Sequence, residues 1–289
     1  MRKIAVVIII SILMCQFFVT AYEFDDSLLP LGGYDRRTEL SRNEKFWQQK
    51  GFQTRQSGVY LFVSDVQAAE LSWLVDGVFN ICESILRNDF FVTAPKETVL
   101  VFVFKNESTY QQHIKSILNM YPISPYGHYG HKDRYIVVNY ATGAGTLIHE
   151  TVHAMMAADF PAAPVWLGEG IASLYEQCRV ENGSLRGELN WRLPDIKDAL
   201  IKKQMHSLST LLSYQATEFR ARGESLNYAA SRYFCMFMES RGKLREVYHR
   251  FRSSQAIDVT GRLAIEASFG MRLEDVETEW HKWILLQQL

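Results

Sequence analysis

The chain has 289 residues, 47% of them hydrophobic and 13% aromatic, with 31 Lys and Arg against 32 Asp and Glu. So much apolar material excludes a disordered chain and suffices for one large domain or two modest ones. The near-balanced charge, with no basic stripe and no block of like charges, argues against nucleic acid as a partner.

The opening "MRKIAVVIIISILMCQFFVTAY" has a basic start at Arg2 and Lys3, an apolar run, and small Ala21 before Tyr22. That pattern predicts a signal peptide over residues 1–21. A retained membrane anchor is the alternative, and lipidation at Cys15 is a third reading, although "LMC" lacks the small residue before the cysteine. All three send the body of the protein out of the cytoplasm. A secreted or periplasmic location is expected, with membrane contact only if the segment is retained. Cleavage leaves 29 Lys and Arg against 32 Asp and Glu, a net charge of −3. It also leaves Cys82, Cys178 and Cys235, an odd number that admits one disulfide plus a buried thiol, or three buried thiols. No CxxC is present to suggest a thiolate zinc site.

Residues 22–57 are polar and turn-rich at "DDSLLPLGGYDRR", and are expected as a leader on the surface or lightly packed. "GVYLFVS" (58–64) reads as a strand. Ser64, with Gln67 three residues later as in a capping box, is expected to open a helix on which Leu71, Leu74, Val75, Val78 and Cys82 recur at helical spacing. "ETVLVFVFK" (97–105) has the length and β-branched content of a buried strand. "STYQQHIKSILNMY" reads as a short helix, and "YGHYGHKDRYIVVNY" (126–140) as a loop or hairpin followed by a strand. This β-α-β-α-β order leads into "GTLIHETVHAMM". Beyond about residue 165, "WLGEGIASLYEQC", "LPDIKDALIKKQ", "SLSTLLSYQ", "LNYAASRYFCMFMES", "KLREVYHRFRSS" and "LEDVETEWHKWILLQQ" all read as helices, punctuated by Gly183, Gly223, Gly242 and Gly270. The expected fold class is therefore α+β. A domain over 58–289 divides into a small α/β lobe at 58–160 and a mainly helical lobe at 161–289.

The chemistry concentrates in "TLIHETVHAMM". Positions i and i+4 of a helix lie about 40° apart around the axis and one turn along it, so His149 and His153 can aim both imidazoles at one metal ion. Glu150 sits about 100° further round, beside the metal and not on it, where its carboxylate can hold a water and take its proton. A catalytic zinc needs a third protein ligand and one position left open. Asp159 and Glu169 are the candidates. In the HExxHxxGxxH/D pattern a glycine turns the helix before the third ligand; Met156 stands there and takes a left-handed turn at a cost. Glu169 is favoured, because Pro161 and Pro164 break the first helix and a second one starting near Val165 can run back past it. The reacting carbonyl also calls for a second electrophile. Tyr228, in "SLNYAASRYF", is preferred over His128, His131, Tyr126 and Tyr129. The strand "RYIVVNY" is a candidate edge for pairing with an extended substrate, or else an ordinary interior strand.

"GTLIHETVHAMM" followed by "PVWLGEGIASLYE" resembles the gluzincin arm of the zincin metallopeptidases, and the "WLxEGxA" form most resembles the peptidase MA-like group. "YAASRYFCMFMESRG" is similar to that group's Tyr-led helix and "SFGMRLEDVETEWHKWI" to its closing segment. The resemblance runs from about residue 58 to 285, though only residues 146–176 are specific. It implies a zincin-like fold, with an α/β upper lobe over a helical lower lobe and an active-site cleft between them. It also implies one Zn2+ per chain held by His149, His153 and Glu169, with Glu150 as catalytic base. Ser173 stands where the family often has an acidic residue that steadies a ligating histidine, a weaker acceptor for that task. The expected function is a zinc peptidase acting on peptides or proteins. A zinc-containing binding protein on the same scaffold is the alternative, and a hydrolase of non-peptide amides is a third reading.

Overall fold

The computed structural model describes residues 40–122, 124–221 and 223–289, so the expected signal segment and residues 22–39 of the expected leader lie outside the described residues. The described chain is of mixed α+β type. It divides into two compact units, one reaching to Ser84 and including Thr93–Ala158, the other comprising Ile85–Val92 and Asp159–Leu289.

The first unit begins with α1 (Glu44–Gln49), β1 (Gln53–Ser57) and β2 (Tyr60–Ser64). A long helical stretch follows: α2 (Ala68–Ser72), a π-helical segment (Trp73–Phe79) and α3 (Asn80–Asp89), whose residues from Ile85 on belong to the second unit. Then come β3 (Val99–Phe104), α4 (Glu107–His113) with a π-helical continuation (Ile114–Leu118), the hairpin β4 (Gly127–Gly130) and β5 (Tyr135–Asn139), and α5 (Ala144–Asp159). The sheet order is β1-β2-β3-β5-β4, with β2, β3 and β5 parallel and the two edge strands antiparallel to their neighbours. Every residue of β2, β3 and β5 is buried, which is why "VLVFVF" is a continuous apolar run and not an alternating one. Alternate side chains serve opposite faces. Leu61, Val63, Leu100, Phe102, Phe104, Tyr135 and Val137 form one core with Trp47, Tyr110 and Ile114. On the other face Tyr60 and Phe62 pack edge-on against Phe79, at 4.8 and 4.9 Å between ring centroids.

Two expectations are corrected here, and one open alternative is decided. Residues 44–57, expected as a lightly packed leader, supply α1 and the edge strand β1, and Trp47 is a core residue whose indole donates to Ser41 O at 2.7 Å. Trp47→Phe keeps most of the buried ring but deletes that bond, and is expected to lower unfolding free energy by about 1 kcal/mol in a urea titration. An unchanged midpoint would return this segment to the surface. Ser64 does not cap a helix: its hydroxyl donates to Val103 O at 2.6 Å, and the helix starts at Ala68 after Gln67, which makes no side-chain capping bond. The capping box stands instead at Asn106 and Thr109, opening α4. Of the two readings of "RYIVVNY", the interior strand holds, because β5 lies between β3 and β4, and the edges are β1 and β4.

The second unit holds α6 (Val165–Tyr175), the hairpin β6 (Cys178–Glu181) and β7 (Ser184–Gly187), α7 (Leu193–Ile201), α8 (Leu208–Ser213), α9 (Ala216–Ala221), α10 (Glu224–Ser240), α11 (Leu244–Ser254), α12 (Arg262–Phe269) and α13 (Leu273–Leu286). The hairpin interrupts what was expected to be helix after helix. Asn182 and Gly183 turn it, both at positive φ (52° and 77°), as the two-residue Asn-Gly hairpin turn requires. The core is aromatic: Trp166 of α6 meets Phe234 of α10 at 5.9 Å, and Phe234 meets Trp280 of α13 at 5.2 Å. All of α6 from Trp166 to Tyr175 is buried. Among the described residues, no helix is long and apolar enough to cross a membrane.

Candidate metal centre

The segment that enters α5 is shaped by short polar bonds. Asn139 accepts from Ala141 N at 3.2 Å, Thr142 and Thr146 share a hydroxyl–hydroxyl bond at 2.9 Å, and Gly143 takes a φ of 101° that a side chain would strain. Sixteen residues of helix follow. His149 and His153 stand one turn apart on it, with their Nε2 atoms 3.2 Å from each other and ring centroids 4.9 Å apart. Two nitrogens bound at about 2.0–2.1 Å to one tetrahedral ion lie about 3.3 Å apart, so the pair has the separation a zinc shell calls for.

The helix stops at Asp159. Residues 160–164 form the connector, and Pro164, at φ −69° and ψ 156°, is the extended residue from which α6 starts. Glu169 lies in the second turn of α6. One ligand atom from each of His149, His153 and Glu169 lies within 4.8 Å of the others, the only such group of three His, Cys, Asp or Glu side chains among the described residues. Two neutral imidazoles and a carboxylate, all borderline-to-hard donors, suit zinc among other divalent ions.

The alternative third ligand, Asp159, has a different task. Its Oδ2 takes Arg252 Nε at 3.0 Å and the Tyr248 hydroxyl at 2.8 Å. Arg252 also donates to Asp159 O at 2.9 Å, a cation on the last carbonyls of α5 where the helix dipole favours it. Burial pushes the Tyr248 phenol far up, and the bond to Asp159 adds to it.

Glu150 is buried, with 6% of its surface exposed. Its charge reaches Tyr110, whose phenol is pushed far above its ordinary range by burial first and then by Glu150 and Glu107. Tyr110 therefore remains a donor, and it donates to Ser124 O at 2.7 Å. Near Glu169, the Glu224 carboxyl is raised by burial, lowered by Arg220 and raised again by Glu169.

Tyr228, the preferred electrophile, lies half-buried in α10 with its ring against Phe219 at 5.3 Å. His128 is tied into the hairpin through Nε2, 3.0 Å from the Tyr135 hydroxyl, and burial pushes its imidazole down to about 4. Tyr126 is exposed, and Tyr129 and His131 stack edge-on at 6.1 Å. Ser173 is fully buried, but its Oγ makes no hydrogen bond, so it does not do the steadying expected of that position. Cys82, Cys178 and Cys235 are all buried thiols, which settles the cysteine alternatives in favour of no disulfide among them. Burial raises the Cys235 thiol well above its ordinary value.

Sequence reasoning missed Arg232. It is fully buried in α10 and donates to Ser173 O on α6 and to Glu188 O beyond β7. Burial lowers its pKa, with Glu176 opposing. The only signal was a single cation inside the apolar run "YAASRYFCMFM". No family model matches the chain, and no curated protein matches it.

Proposed function

We propose that the chain is a secreted or periplasmic zinc peptidase of gluzincin type, with His149, His153 and Glu169 as metal ligands and Glu150 as general base. The observation that carries this reading is the convergence of three ligand atoms within 4.8 Å, with a buried carboxylate next in sequence to one of the histidines. When bound, zinc supplies a Lewis acid for a carbonyl oxygen and lowers the pKa of a coordinated water towards about 7. Glu150 takes the proton of the attacking water and returns it to the leaving amine, one carboxylate serving as base and then as acid. Tyr228 is proposed as the donor to the developing oxyanion.

The substrate strand is better assigned to β4 than to β5, since β4 is the edge strand beside β5. Gly127 of β4 lies close to α5: a Cβ there would stand 3.0 Å from Thr146 Cγ2, one turn before His149. An extended peptide adding to β4 would gain main-chain hydrogen bonds with little demand on its sequence.

The test is elemental analysis of zinc-exposed, dialysed protein, together with hydrolysis of a peptide library. One equivalent of metal per chain is expected, with cleavage stopped by a chelator and restored by zinc. Protein that retains no stoichiometric metal would end the proposal.

A further inference from the structure

The helix that carries Glu169 packs along α10, through Trp166 against Phe234 and the Tyr175 hydroxyl on Glu239 among other contacts, and two further contacts lie next to the ligand without involving the metal. The first is Gly170, the residue after Glu169. A Cβ there would stand 2.6 Å from Cys235 Sγ and 2.9 Å from Ser231 O, so the two helices approach as closely as only a glycine allows. The second is Ser173, one helical turn beyond Glu169 and on the same face of α6. Its carbonyl lies in the last turn, where helix carbonyls lack partners within the helix, and it accepts from Arg232.

Arg232 is an expensive way to close a helix end. A buried cation costs several kcal/mol unless it is paired. The carboxylate that supports it, Glu176, is bonded to Arg192, and the Arg232 guanidinium spends its bonds on two main-chain carbonyls, Ser173 O and Glu188 O. A guanidinium is planar and rigid, so two carbonyls bound to one fork are held at a fixed separation. The negative end of the α6 dipole lies at the same place and compensates part of the charge. An apolar residue would fill this core at lower cost but would leave the last turn of α6 without that fixed point.

We propose that Arg232 is a positioning residue for the candidate metal centre, clamping the last turn of α6 onto α10 and so setting where the Glu169 carboxylate stands. The inference rests on the metal-ligand reading above. It adds a residue that touches neither metal nor substrate.

The experiment uses the full chain with zinc alone as probe, titrated against a chelating indicator, and with cobalt as a spectroscopic substitute. Three variants are compared with the parent: Arg232→Lys, which keeps the charge and loses the fork, Arg232→Met, which loses both, and Gly170→Ala, which presses α6 away at the other contact. Circular dichroism and urea titration establish that each is folded. The expected result is a roughly 10- to 100-fold loss of zinc affinity in folded Arg232→Lys and Gly170→Ala, the range for residues that orient a ligand, with a changed cobalt absorption band. Arg232→Met should lose at least as much as Arg232→Lys. A parent that binds zinc, with folded Arg232→Lys and Gly170→Ala binding within twofold of it and the same cobalt band, would overturn the positioning role and leave the ligand set intact. A parent that binds no zinc would overturn the ligand set, and this inference with it.

Discussion

Glu150→Gln is expected to keep the metal and to lose hydrolysis by about a hundred- to ten-thousand-fold, the usual contribution of a positioned general base. The exchange is nearly isosteric, and glutamine is as good a helix former as glutamate, so α5 and the histidines it carries keep their places. What disappears is a group that can take a proton, and no amide replaces it. The loss should fall on kcat, because the proton moves only as the transition state forms. Tyr110 offers an independent check that the charge has gone. Glu150 is one of the groups that push its phenol upward, so the phenol of the variant should titrate lower than that of the parent, still raised by burial. Steady-state kinetics on one cleaved peptide, with zinc content measured on the same sample, decides the matter. A variant as fast as the parent places the base elsewhere, and one that loses its zinc makes Glu150 a ligand. A binding protein on this scaffold would capture its partner equally well with either residue.

Asp159→Ala and Glu169→Ala should behave in opposite ways. Asp159 receives Arg252 and Tyr248 on one oxygen in a buried setting, and its removal takes that carboxylate from both, leaving the Arg252 guanidinium its bond to the main-chain carbonyl of residue 159 but no countercharge there. A loss of about 3–5 kcal/mol in unfolding free energy is expected, with zinc affinity unchanged in the folded fraction. Glu169→Ala removes a buried carboxylate and one of three donors. It should unfold at a urea concentration similar to that of metal-free parent, and bind zinc more weakly by over about 100-fold, beyond the cost of losing a supporting residue. The exchanged pattern, a stable Asp159→Ala without zinc and an unstable Glu169→Ala with it, would make Asp159 the third ligand.

Much of the candidate centre was legible because its spacing is local. Four residues bring two imidazoles to one side of a helix, and Pro161 and Pro164 force the break that lets the next helix begin. What was not legible depended on partners distant in sequence. "QTRQS" has no strand pattern of its own; it becomes β1 because β2 offers an unpaired edge, in register from Gln53↔Ser64 to Ser57↔Tyr60. Trp47 is one aromatic residue in a charged segment until Phe102, 5.3 Å away, receives it. The interior place of β5 follows from the order in which strands add to the sheet, which apolar content does not encode. Arg232 is a lone cation in an apolar run, and the two carbonyls that receive it in the core are distant in sequence. The turn at Asn182 and Gly183 carries a local signal, since Asn-Gly is the strongest short hairpin dipeptide, but Gly183 read only as a break between helices does not reveal the two strands it joins.

The buried thiols bear on the compartment proposed for the protein. With Cys82, Cys178 and Cys235 all shut inside, the described chain depends on no covalent cross-link between distant segments. Its conformational stability is then the same property in reducing and in oxidising surroundings, and export would require no oxidative maturation of these three side chains.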